Sequence, residues 1–141
     1  MPDAPQDASQ HAANIAAPGT ADGPTALPPA GLAALADEIE VISRVYERLF
    51  DVERTDDWLI LKLQEEMGEL VQAFLAHTHR SRDRGKSAEE IAADFRGEIV
   101  DVLGQLLLVA RRFDVDVEAE LQRKWFRWRH LVEPQDREGI S

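Results

Sequence analysis

The chain has 141 residues, 44% of them hydrophobic, with no cysteine and a formal net charge of −11, enough for one modest domain with a real core. The missing cysteine excludes a disulfide framework, a thiolate nucleophile and sulfur-ligated zinc, so any metal must be held by oxygen or histidine. The negative charge argues against nucleic acid and anionic lipid as partners unless basic residues are segregated, and it would also repel a polyanionic ligand in the absence of a bridging divalent cation.

Residues 1–29 are rich in Ala, Pro, Gly, Asp and Gln and nearly devoid of bulky apolar side chains, a composition that cannot offset its own ordering entropy and reads as a disordered tail. The opening MPDAPQDASQ has no basic segment followed by an apolar run. No later stretch approaches the roughly 20 apolar residues of a bilayer span, so a soluble cytoplasmic protein with no membrane partner is expected.

From Gly31 the spacing turns helical. Leu35, Ile39, Ile42, Val45, Tyr46 and Leu49 recur at steps of three and four. A second helix is expected from about Asp57 to Ala76, with Leu59, Leu63, Met67, Leu70, Val71 and Phe74 as its apolar stripe. The polar, basic connection HTHRSRDRGK leads to Ser87-Ala88-Glu89-Glu90, a capping-box pattern that opens a third helix running to about Arg112. His77 and His79 read as polar residues of that connection. A fourth helix should start with Asp116 as N-cap and carry Val117, Leu121, Trp125 and Trp128 on one side until Pro134 ends it. No segment alternates with period two. The expectation is an all-α fold, a bundle of about four helices over residues 30–133 with a flexible end at 134–141. So few helices leave broad apolar faces to cover, which points to a homodimer or higher oligomer.

The acidic residues of the second and third helices carry the chemistry. At 100° per residue Glu66 sits on the shoulder of the second helix's apolar stripe, with Lys62 and Glu69 one step further round and Glu65 beside them. The third helix is apolar over more than half its circumference and should be largely buried, yet Glu98, Asp101 and Gln105 form a narrow polar strip along it. Ionised carboxylates in such surroundings are found paired, protonated or bound to a cation. Lys62 is the one basic residue within a turn of the second helix's glutamates, and Glu65 and Glu69 repel each other at i,i+4. An interhelical ion pair or a divalent cation would each answer this; all-oxygen ligands suit magnesium, with manganese as a substitute.

Lys62-Leu63-Gln64-Glu65-Glu66-Met67-Gly68-Glu69-Leu70, followed by Glu98-Ile99-Val100-Asp101-Val102-Leu103, resembles the MazG-like family of all-alpha nucleoside triphosphate pyrophosphohydrolases, over residues from about 35 to 130. The resemblance implies Glu66, Glu69, Glu98 and Asp101 as magnesium ligands and Glu65 as the group that orients or deprotonates the attacking water. It implies cleavage of a nucleoside triphosphate between its alpha and beta phosphates, to a monophosphate and pyrophosphate, by a dimer or a tetramer, with nucleotide-pool house-cleaning as the role suggested by analogy. Lys124 and Arg127 resemble the family's basic positions after the metal motifs and, with Lys62, are the expected phosphate-binding residues. Two readings stand beside this one. Phosphoribosyl-ATP pyrophosphohydrolase shares the acidic pairs but usually has Tyr-His where this chain has Gly104-Gln105, and a non-catalytic helical interaction module would use the same acids structurally. The 28 residues between Glu69 and Glu98 include a basic run from Arg80 to Lys86, which reads either as a solvated loop or as a phosphate contact.

Overall fold

The computed structural model describes residues 31–82 and 84–140; the expected tail at 1–29 lies outside them. Four α-helices follow one another in the described residues, α1 (Leu32–Phe50), α2 (Asp56–His77), α3 (Ala88–Arg112) and α4 (Val117–Lys124), and no strand occurs among them. Two short 3₁₀ segments, Phe126–Leu131 and Pro134–Arg137, follow in the described residues.

Three of the four helix starts are set by a local hydrogen bond. Thr55 Oγ1 accepts from the N–H of Trp58 at 3.1 Å, and Asp116 accepts from the N–H of Ala119 at 2.9 Å. Ser87 and Glu90 form the expected reciprocal capping box, with Glu90 N–H to Ser87 Oγ at 3.2 Å and Ser87 N–H to Glu90 Oε2 at 2.7 Å. The start of α1 is capped from elsewhere. Gly31 has no side chain to offer, and the N–H of Leu32 donates instead to Glu118 Oε1 of α4 at 2.9 Å. A Cβ at Gly31 would collide with that carboxylate.

α2 and α3 pack against each other as an antiparallel hairpin. Arg112 meets Asp56 at 2.6 Å at one end, and Phe74 and Phe95 lie 6.0 Å apart near the other. α1 crosses a different side of α3, where Ile39 lies against Gly104 and Arg111 reaches Asp37 at 2.7 Å. The core at this junction is small. Among the described residues Ala36, Leu59, Leu107, Leu108 and Ala110 are the buried apolar side chains.

Two expectations need correction. α3 is not largely buried: Ile99, Val100, Leu103 and Leu106 are all exposed, 46–63% each, because a helix apolar over more than half its circumference finds only two neighbours in one chain. The fourth helix also stops early, at Lys124. Beyond it the backbone tightens to 3₁₀ spacing, with the N–H of Trp128 donating to the carbonyl of Trp125 at 3.2 Å. Trp125 and Trp128 are exposed at 66% and 53%. Aromatic residues lose side-chain freedom in a helix, and with no core beneath them their packing cannot offset that loss. Arg127 and Arg129 lie over the rings of Trp128 and Phe126 at 4.7 and 4.0 Å instead.

Candidate metal centre

The antiparallel contact of α2 and α3 brings one flank of each together. Glu66 and Glu69, three residues apart on α2, share a flank with Glu98 of α3, and one carboxylate oxygen from each of the three lies within 4.8 Å of the others. All three are half-buried. Glu98 Oε2 is enclosed and has no hydrogen-bond partner. Burial pushes the Glu98 carboxyl above its ordinary range, and the negative charges of Glu69, Asp101, Glu66 and Asp94 push it further the same way. An orphaned acceptor beside two like charges is what a cation would satisfy, and a set made only of carboxylate oxygens fits a hard divalent ion. The residues present therefore fit magnesium or manganese.

Asp101 stands outside this group. One turn beyond Glu98 on α3, it is more exposed. Burial and the charge of Glu66 raise its carboxyl, while Lys62 draws it back. The strip expected along α3 is thus graded from buried Gln105, 8% exposed, through half-buried Glu98 to exposed Asp101.

Lys62 supplies the local counter-charge. Its ammonium lies 2.9 Å from Glu66 Oε1 and 3.0 Å from Glu65 Oε2. Burial opposes the charged ammonium, but the hydrogen bonds to Glu66 and Glu65 outweigh it and hold its pKa above the usual lysine value. Glu65 is the outermost of these acids, its side chain 45% exposed. Lys124 closes α4, which packs on α1, and Arg127 sits in the following 3₁₀ segment over Trp128. In the isolated chain these two are not gathered with the three-carboxylate group as Lys62 is.

Contacts of four residues, Arg54, His77, Arg80 and Lys86, escaped the sequence. Arg54, its side chain 8% exposed, grips Glu40 through Nη2–Oε2 at 2.6 Å and Nη1–Oε1 at 3.3 Å and reaches Glu47 at 3.7 Å. A lone arginine in a short loop carries no pattern that announces burial; the polar Glu40 on the shoulder of the first helix's stripe was the available hint. His77 is the last residue of α2, not a loop residue, and stacks on Phe95 with ring centroids 4.9 Å apart. In the basic connection, Arg80 lies over Phe74 at 4.9 Å and Lys86 pairs with Asp94 at 2.6 Å, so both ends of that run are held by protein contacts. Among the described residues no helix is long and apolar enough to cross a membrane. Comparison with protein-family models, curated proteins and solved structures returned no match for this chain.

Proposed function

We propose that this chain is a magnesium-dependent nucleoside triphosphate pyrophosphohydrolase that cleaves between the alpha and beta phosphates. The observation that carries the reading is the convergence of Glu66, Glu69 and Glu98 from two facing helices, with an enclosed oxygen of Glu98 lacking any partner. Those three residues would hold the cation, with Asp101 adjoining them. Magnesium bound there would neutralise phosphate charge and lower the pKa of a coordinated water. Lys62 holds Glu66 in its rotamer and offers positive charge to an incoming phosphate. Glu65, on the solvent side and fixed by the same lysine, takes the proton of the attacking water as the anhydride bond breaks and pyrophosphate departs. No covalent nucleophile is needed, in keeping with a chain that has no cysteine.

The test is pyrophosphate release from a panel of ribo- and deoxyribonucleoside triphosphates, with and without magnesium. Magnesium-dependent product that disappears in Glu66→Ala supports the reading. Absence of product with every nucleotide favours a second one, a non-catalytic helical module in which Lys62 pairs with Glu65 and Glu66.

A further inference from the structure

Past Lys124 the change from α to 3₁₀ spacing sorts the side chains. Three residues complete one turn of a 3₁₀ helix, so positions three apart lie one above another. Trp125, Trp128 and Leu131 therefore form one edge, and they are 66, 53 and 59% exposed. On an α-helix the same residues would drift round the axis by about 60° at each such step. Phe126, on a neighbouring edge, is exposed as well.

The charges are sorted too. From Leu121 to Val132 the chain has no acidic residue and carries Arg123, Lys124, Arg127 and Arg129, with His130 beside them. Arg123 turns back to pair with Glu120, and the other three are exposed. Arg127 lies over the Trp128 ring at 4.7 Å and Arg129 over Phe126 at 4.0 Å, so positive charge is held at the level of the aromatic rings. The net charge of the chain disfavours anionic lipid unless basic residues are segregated, and here they are. Carboxylates elsewhere count for less, because salt at physiological strength screens charges more than about 8 Å apart.

We propose that residues 124–132 bind the surface of an anionic phospholipid bilayer, with Trp125, Trp128 and Leu131 entering the interface and Lys124, Arg127 and Arg129 on the headgroup phosphates. Tryptophan settles at the boundary of bilayer and water, its ring towards the acyl chains and its N–H towards the headgroups. Each Lys or Arg held near such a surface strengthens binding about fivefold. Two observations favour lipid over single-stranded nucleic acid, which also takes aromatic and basic residues. Arg127 and Arg129 already occupy a face of Trp128 and of Phe126 on which a base would stack. Leu131 and Val132, exposed at the end of the segment, are aliphatic and offer a base no stacking surface. Lipid binding of this kind needs neither the carboxylate group nor catalysis.

The test uses the full-length protein with Trp58→Phe, so that Trp125 and Trp128 alone report by fluorescence. It is mixed with vesicles of phosphatidylglycerol and phosphatidylcholine in equal parts, and separately with vesicles of phosphatidylcholine. Flotation with the first and not the second, a blue shift of the emission, and release at high salt are expected. Arg127→Gln with Arg129→Gln should weaken binding about 25-fold. Trp125→Ser with Trp128→Ser should end it, with helicity by circular dichroism unchanged. Failure to float with the anionic vesicles at low salt, equal binding to both kinds of vesicle, wild-type flotation of the double serine variant, or displacement from the vesicles by a single-stranded RNA oligonucleotide would each overturn the proposal.

Discussion

Glu98→Gln separates a metal centre from a structural cluster by the sign of its effect. The substitution keeps the shape of the side chain, removes one negative charge and adds two donors. In the wild type Oε2 of Glu98 has no partner, and an enclosed acceptor left unsatisfied costs about 1–3 kcal/mol. Glu66 and Glu69 face it within 4.8 Å, where each pair of unit charges repels by about 1 kcal/mol in water and about 3.5 kcal/mol at an effective dielectric of 20. The group is half-open to solvent, so the lower end applies. Without divalent cation the variant should therefore be more stable than the wild type by about 1–2 kcal/mol, seen as a rise in Tm of roughly 5–10 °C.

Magnesium should reverse that order. A ligand held only by the folded state adds about 2.7 kcal/mol at 100 times its Kd, and the variant, short of one anionic ligand, gains far less. Thermal denaturation at pH 7 and fixed protein concentration, in EDTA and in magnesium, reads both effects. A variant less stable than the wild type in EDTA, or a wild-type Tm that magnesium does not move, would refute the argument.

The remaining predictions concern other parts of the molecule. Hydrogen bonds from Arg54, against the opposing effect of burial and with help from Arg44, lower the Glu40 carboxyl from 4.5 to about 2, so the two arginines together contribute stability above pH 4.5 that is lost as pH falls towards 2, up to about 3 kcal/mol in all. Acid denaturation of wild type against Glu40→Gln should differ in that window and converge at its acid end. Arg54→Met leaves Glu40 with Arg44 alone, at 2.9 Å, and should cost about 1–3 kcal/mol in urea titrations at pH 7. Ser87→Ala removes the cap of α3 and should cost about 1 kcal/mol by the same measurement. Glu66→Ala should lower magnesium-dependent pyrophosphate release by at least ~100-fold with helicity by circular dichroism unchanged, while Asp101→Asn, outside the close group, should lower it less.

What the sequence revealed depended on how local the signal was. Caps and periodicity are written within a few residues, so the starts of α1 to α4 and the Ser87–Glu90 capping box were legible. The acids could be assigned to flanks of their helices because Glu66, Glu69 and Glu98 each stand at a defined angle to an apolar stripe. How deep those flanks lie depends on which neighbour covers them, and that is not local. The apolar surroundings of Asp101 in sequence suggested burial, but the residue is exposed. Trp125 and Trp128 fit a helical stripe by spacing alone, while the absence of any core beneath them was invisible. The burial of Arg54 depends on α1 and the following loop meeting in space, which no spacing rule reports.

The lysine and the cation are not equivalent answers to the acidic cluster, because they reach different carboxylates. Lys62 extends along its own helix to Glu65 and Glu66, and a lysine at i−3 and i−4 would do the same on an isolated helix. It therefore answers part of the charge of α2, at Glu65 and Glu66, without reference to α3. Glu98 comes from the facing helix, and its enclosed oxygen has no hydrogen-bond partner, so the charge left unanswered is the one created by the packing of α2 on α3. If the cluster were only structural, a glutamine at position 98 would serve the contact better, with donors for Glu66 and Glu69 and no charge to bury. A charged glutamate there raises the cost of folding, a cost that protonation of its carboxyl or a cation between the helices would each relieve.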